Sequence, residues 1–201
     1  MRYIAVKISK IVGVISRLRH FVPFCTLRSI LPYLTYGLTA WGQAANAHLN
    51  KLLLLQKRAL HLMYFLNQRS HAIPLFISSK ILPIHQLYFE AILHSVYEVS
   101  NNSVPKDMSD KFVKTSLIHS YTKRAASWGK YHKKFSRLNQ QGNSFSCFGA
   151  KAWNFLPSRV CNLPKPLFKK SIRKALFQAL EGKEAYIEAP KLLSIINLYI
   201  L

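Results

Sequence analysis

The sequence predicts a mainly α-helical bundle with a small β-hairpin and a C-terminal helix. Two observations predict it. Apolar residues recur at steps of three and four in four segments, and the one long stretch without this period is rich in aromatic residues. Half of the 201 residues are hydrophobic, which is enough for a substantial core. We therefore expect a folded chain.

The first helix is predicted over residues 3–20. Its apolar stripe recurs at helical spacing, basic residues occupy another face, and Pro23 ends it because proline cannot continue a helix. A second apolar segment begins near Thr26 and meets Pro32 almost at once. We expect this second segment to be short.

The clearest helical pattern runs from Leu52 to Leu66, with Asn46 as the predicted N-cap. A further helix opens at Pro83, because proline suits the first helical turn. The predicted organisation is therefore a helical region over 1–100 and a polar linker over 101–118.

Residues 119–201 are predicted as a basic and aromatic extension. The helical period is lost there and basic and aromatic residues interleave, which favours a small two-stranded element between Trp128 and Phe148. The period then returns over Lys165–Leu180, and Gly182 is the expected stop of this last helix.

Charge is the most unusual property of the chain. It has 29 Lys and Arg against 7 Asp and Glu, a formal net charge of +22. No acidic residue precedes Glu90, and none lies between Asp110 and Glu181. A compact domain with this surplus repels itself, so we expect a polyanionic partner, with nucleic acid first and an anionic membrane second. The alternative, that the cations only solvate the surface, fits poorly because ordinary surfaces mix both signs.

Basic residues on helical faces can reach phosphates without reading sequence, and aromatic side chains interleaved with cations can stack on unpaired bases. His61 and Tyr131 are predicted to belong to such surfaces, whereas Trp41 and Trp153 are predicted to be core residues. The candidate nucleic-acid-binding residues are Lys7, Lys10, Arg17, Lys57, Arg58, Lys123, Arg124, Lys130, Lys133, Lys134, Arg137, Lys169, Lys170, Arg173 and Lys174.

Catalytic and metal-binding patterns are not found. The only close aspartates, Asp107 and Asp110, sit in a polar loop without an apolar strand before them, and the histidines lack metal-ligand spacing. We therefore predict no catalytic residue, no metal site, no cofactor and no small-molecule substrate. Cys25, Cys147 and Cys161 are an odd number without CxxC spacing, which fits the reducing nucleus or cytoplasm.

The sequence predicts no membrane-spanning segment, and it favours a membrane partner less than a nucleic-acid partner. The apolar stretch at 49–66 is interrupted by charges, and the apolar residues 192–201 are too few to cross a bilayer. The N-terminus is basic, amphipathic and free of acids, so a mitochondrial presequence stays open as an alternative.

Six segments, in this order and spacing, resemble the region just after the polymerase core in non-LTR retrotransposon (LINE, jockey-like) reverse transcriptases. HSYTKRA is similar to that group's HSYNTR segment, and SRLNQQGNSFSCFGAKAWNFLP is similar to its FxxxGxxxWNxLP segment. The segments are Lys7–Pro23, Pro32–Gly42, His48–Met63, His119–Ala125, Ser136–Pro157 and Ala185–Pro190.

The resemblance implies the C-terminal part of an RNA-directed DNA polymerase: a thumb-like helical bundle that grips the RNA or DNA template–primer, followed by an extension. The parent family would use Mg through aspartates of an upstream FxDD or YxDD motif, so this region alone would not be an enzyme. The family usually has more residues between the segments that align with Leu27–Ser29 and Leu31–Pro32. The second thumb helix is therefore expected to be shortened, with its stripe lost before Pro32.

Two rival functions stay open. One is a stand-alone basic RNA-associated structural protein, bound to ribosomes or located in mitochondria. The other is a membrane-surface protein that uses residues 192–201 as its apolar segment.

Overall fold

Helices dominate the structure, which confirms the predicted mainly α class. The computed structural model describes residues 2–18, 25–118, 130–135, 137, 142 and 144–182. Its helices are α1 (Arg2–Leu18), α2 (Cys25–Thr35), α3 (Leu38–Trp41), α4 (Asn46–Met63), α5 (Ile73–Ser78), α6 (Ile84–Ser100), α7 (Lys106–Ser109), α8 (Phe145–Phe155), α9 (Ser158–Cys161) and α10 (Lys165–Glu181), with a 3-10 turn at Thr115–Leu117.

The described residues fall into two compact units. Those of unit 1 lie within 1–88 and 177–188, and those of unit 2 lie within 89–176. The division falls inside α6 and inside α10, so each of these helices contributes to both units.

The predicted β-hairpin between Trp128 and Phe148 is not seen in the described residues. Residues 145–155 form helix α8 instead, and an isolated antiparallel bridge joins Lys114 to Tyr131. The physical reason is that Phe145, Gly149 and Trp153 recur every four residues, which places them on one helical face. Residues 138–141 and 143 of the predicted element lie outside the described part of the chain.

In unit 1, α1 packs against α2 and α4. Ile8, Val12 and Ile15, members of the predicted stripe of α1, are all buried. Helix α4 begins at Asn46, and its N-cap is Ala45, so the predicted Asn46 cap is wrong. Leu52 and Ala59 of its predicted stripe are buried, as are the flanking Leu53, Leu60 and Met63, whereas Leu66 lies past the end of the helix and is 47% exposed.

Helix α2 continues through Pro32 to Thr35, whereas the sequence predicted that its stripe ends before that proline. Ile30 and Leu34 lie on either side of Pro32, and both are buried. Proline removes one backbone donor, but the helix keeps its next bond, in which the Tyr36 N–H donates to the Pro32 carbonyl at 2.9 Å. Burial of the flanking side chains therefore outweighs one lost hydrogen bond.

The core of unit 2 is aromatic. The rings of Tyr97 and Phe168 stack with centroids 4.4 Å apart, and Trp153 lies 6.0 Å from Phe168. Trp153 is buried, which confirms its prediction as a core residue. The stripe of α10 is buried as predicted, and the helix ends at Glu181, directly before Gly182.

Candidate nucleic-acid interface

Unit 1 gathers cations from three parts of the chain around two neighbouring clefts. One, of about 650 Å³, lies between α1 and α4, and the other, of about 530 Å³, lies beside α4 and residues 68–72. Leu54 and Arg58 line both clefts, so the two are adjacent. We call their basic side chains, apart from the buried His61, the basic surface: Arg2, His48, Lys51, Lys57, Arg58, Arg69 and His71.

His61 is not part of this exposed surface, so its predicted place there is wrong. The ring is 4% exposed. Its Nδ1 lies 2.7 Å from the Lys57 carbonyl and its Nε2 lies 2.9 Å from the Ser70 carbonyl. These contacts hold the segment after α4 beside the helix, and they keep Arg69 near Arg58.

The basic surface has no acidic neighbour in its own stretch of sequence, because residues 1–89 contain neither Asp nor Glu. Lys57 is half-buried, and burial lowers the pKa of its amine. Phosphate oxygens are the ligands whose charge complements a surface of Lys and Arg side chains. The surface is therefore arranged to receive anions.

The predicted basic residues of α1 do not lie on one surface. Lys7 is half-buried in a separate cleft with Tyr3 and Tyr33. Lys10 and Arg17 are exposed and line none of these three clefts. The predicted basic face of α1 is therefore not one continuous site.

Unit 2 carries a second cationic face on α10. Lys169, Lys170, Arg173 and Lys174 are all exposed. Arg173 lies 3.6 Å from the Glu90 carboxylate. Burial raises the pKa of Glu90, and the charges of Arg173 and Lys169 act against that shift. Part of this face therefore interacts with an acid of the same unit.

The pKa of His94 is affected by the cations of α10. Burial is the largest cause that lowers its pKa to about 4, and the charges of Lys169 and Arg173 lower it further. The ring lies 6.3 Å from that of Phe168. His94 is therefore uncharged at neutral pH.

The basic and aromatic stretch is described only from Lys130 onward, and Lys123 and Arg124 lie outside the described residues. Lys130 is half-buried, whereas Lys133, Lys134 and Arg137 are exposed. Tyr131, predicted as a surface aromatic, is 3% exposed and packs on Phe112 and Trp153. Phe135 is 87% exposed.

The FxxxGxxxWNxLP segment has a structural role in unit 2. Phe145, Gly149 and Trp153 are four residues apart on α8. A Cβ on Gly149 would lie 2.9 Å from Val96 and 3.2 Å from Phe112, so the glycine permits this close packing. The Asn154 amide donates to the Tyr131 carbonyl at 2.7 Å and accepts from its N–H at 2.9 Å.

Nothing in the described residues forms a group of three or more His, Cys, Asp or Glu that could hold a metal ion. Asp107 lies in the first turn of α7, and both Asp107 and Asp110 are exposed. Among the helices described, none is long and apolar enough to span a membrane.

Sequence reasoning identified Lys57 and Arg58 but missed Arg2, Lys51 and Arg69. Their shared location arises from the packing of α1 and the 68–72 segment against α4, which a single helical face does not show. Comparisons add no relative: no protein-family model, no curated protein and no solved structure matches this chain.

Proposed function

We propose that this chain is the thumb and C-terminal extension of a non-LTR retrotransposon reverse transcriptase, and that it binds RNA or DNA through phosphates without catalysis of its own. The observation that carries nucleic-acid binding is the basic surface of unit 1. The seven basic side chains of this surface lie at two adjoining clefts, in a stretch of 89 residues that has no acid. The polymerase origin is supported by the six ordered segments.

Phosphate contact is the mechanism that fits this surface. Arg2, Lys51 and Arg58 come from two helices that pack together, and all three line the same cleft. Such contacts fix a strand along its backbone and carry no sequence information. We therefore expect binding that depends steeply on salt and weakly on sequence.

The test is a filter-binding titration of the full chain with an RNA strand, a DNA strand and an RNA–DNA hybrid across a range of salt. Each phosphate contact contributes about 0.7 to the slope of log affinity against log salt for a single strand. The double variant Lys51→Ala/Arg58→Ala should weaken binding to all strands and lower the slope by about 1.4.

The matched control is Lys106→Ala/Lys111→Ala, which removes the same charge from exposed residues of unit 2. It should leave the slope within about 0.3 of the unmodified chain, because these lysines lie outside the proposed surface. A flat salt response of the unmodified chain, or equal losses in the two double variants, would exclude this surface as the binding site.

The polymerase origin has its own test. The reading frame upstream of the codon for Met1 should encode a palm with an FxDD or YxDD motif. If that DNA encodes no such motif in any frame while the chain still binds RNA, the stand-alone RNA-associated protein becomes the better description.

A further inference from the structure

Three exposed tyrosines surround a cleft of about 590 Å³ in unit 1. It is lined by residues of α1 and of the segment from Pro32 to Trp41, and we call it the tyrosine cleft. Tyr3 is 69% exposed, Tyr33 is 41% exposed and Tyr36 is 85% exposed. Large aromatic side chains that gather at the surface, rather than in the core, leave ring faces available for a ligand.

The cleft is held in shape by the backbone around Gly37. This residue has φ of +61°, a left-handed conformation that glycine adopts without strain, and it turns the chain from α2 into α3. The Trp41 Nε1–H donates to the Tyr36 carbonyl at 2.8 Å across the turn. Trp41 was predicted to be a core residue, but it is half-buried and lines the cleft.

Lys7 supplies the cleft with a charge. Its Nζ lies 4.7 Å from the centroid of the Tyr3 ring and 5.5 Å from that of Tyr33. A hydrogen bond with Tyr3 raises the pKa of Lys7, so the ammonium is charged at neutral pH. No Asp or Glu occurs in this part of the sequence. The cleft therefore combines aromatic faces with one cation and no anion.

Aromatic rings beside a single cation favour some classes of ligand over others. A cationic guest would meet the Lys7 ammonium over the very rings that it needs, so an aromatic cage for cations is disfavoured. A nucleotide has the complementary chemistry, because its base offers a flat aromatic face and its phosphate offers negative charge. The volume lies within the range of pockets that take small organic groups.

We propose that the tyrosine cleft holds one unpaired base of a nucleic-acid strand, stacked on the exposed Tyr36 ring, with Lys7, which lies over the Tyr3 and Tyr33 rings, facing a neighbouring phosphate. The proposal rests on the proposed function, because it assumes that a strand is already held by phosphate contacts. It adds a preference for single strands or overhangs, since bases inside a duplex have no free face for a tyrosine.

The test compares two strands of about 20 nucleotides with equal phosphate number, oligothymidylate and an abasic strand of the same length, by fluorescence anisotropy on the full chain. The unmodified chain should bind oligothymidylate about tenfold more tightly. Tyr36→Ala should remove most of this preference, whereas Tyr36→Phe, which keeps the ring, should retain it. Tyr36 is so exposed that neither change should alter folding, which circular dichroism checks.

Phe135→Ala is the matched control, because Phe135 is equally exposed but lies in unit 2. It should keep the base preference. Loss of the preference in Phe135→Ala but not in Tyr36→Ala would overturn the proposal and place stacking in the basic and aromatic stretch.

The remaining outcomes are separable. Equal, salt-dependent binding of both strands would refute base stacking and leave phosphate binding intact, whereas salt-independent binding would refute both. A proline-rich peptide is the other ligand that aromatic grooves take. If such a peptide binds and Tyr36→Ala abolishes its binding while the base preference is absent, the cleft is a peptide site and the proposal is wrong.

Discussion

Asn154→Ala removes a side chain that forms hydrogen bonds with the backbone N–H and carbonyl of the buried Tyr131. The Asn154 amide nitrogen donates to the Tyr131 carbonyl and its oxygen accepts from the Tyr131 N–H, at 2.7 and 2.9 Å. These bonds join α8 to the segment that holds Tyr131 against Phe112. Alanine leaves both backbone groups without that partner.

The size of the effect follows from the two bonds. A protein hydrogen bond contributes about 0.5–1.5 kcal/mol net, and a buried group left unsatisfied costs about 1–3 kcal/mol. Because the site is only partly buried, water can reach one group, and we expect Asn154→Ala to lower the free energy of unfolding by about 2–3 kcal/mol. Asn154→Asp should cost at least as much at neutral pH, since it loses the donor and sets a carboxylate beside a carbonyl oxygen.

The assay is urea unfolding followed by circular dichroism, with amide hydrogen exchange of Tyr131 as the local readout. Asn162→Ala is the control, because Asn162 is an exposed asparagine of the same unit, and it should change the free energy by less than about 0.5 kcal/mol. If Asn154→Ala matches the control and Tyr131 exchange is unchanged, the role assigned to Asn154 is wrong.

Three further predictions concern unfolding and thiol reactivity. The pKa of His94 is lowered to about 4 in the folded chain, so the unfolded chain binds the proton first and the free energy of unfolding decreases as the pH falls. Between about pH 7 and about pH 4.5 the unmodified chain should lose about 1–2 kcal/mol more than His94→Leu, after allowance for solvent around the ring. Equal losses in urea unfolding would contradict this. Gly42→Ala should cost about 2–3 kcal/mol because its Cβ would overlap the Tyr88 ring, whereas Gly13→Ala, with open space inside α1, should stabilise by about 0.5–1 kcal/mol. The reverse order in thermal melts would refute the packing argument. Burial raises the pKa of Cys161 to about 11, so its alkylation at constant pH, followed by mass spectrometry, should be about 100-fold slower than in the unfolded chain; similar rates would contradict its burial.

The helices that could be predicted from the sequence are those with a clear helical period of apolar residues. The helices α1, α4 and α10 were predicted because an apolar stripe at helical spacing needs no partner to be recognised, although α4 ends at Met63 rather than at Leu66. Helix α2 was cut short in the prediction, since local rules stop a helix at Pro32, and only the burial of flanking residues shows why it continues. For α8, residues 145–148, which the prediction placed within the two-stranded element, belong to a helix.

The sequence predicted some of the basic residues of the candidate site but not how they are arranged in space. Charge identified Lys57 and Arg58, but a helical wheel could not show that His61 turns inward between two backbone carbonyls. Nor could it show that Arg2 and Arg69, 67 positions apart, approach the same helix. These relations depend on contacts between distant segments, and a single sequence carries no direct record of them.

Aromatic residues show why exposure, rather than composition, decides which side chains can stack on bases. The interleaved stretch suggested that its aromatics face solvent, yet Tyr131 is core and bonded through its backbone to Asn154. Tyr36 drew no attention in the sequence, because it sits among apolar residues that resemble core, and it is among the most exposed aromatics described. A local signal did exist: Tyr3 and Lys7 are one helical turn apart, a spacing that sets a ring beside a cation. Paired with a glycine-bounded aromatic segment, that spacing predicts a surface cleft better than the density of aromatics does.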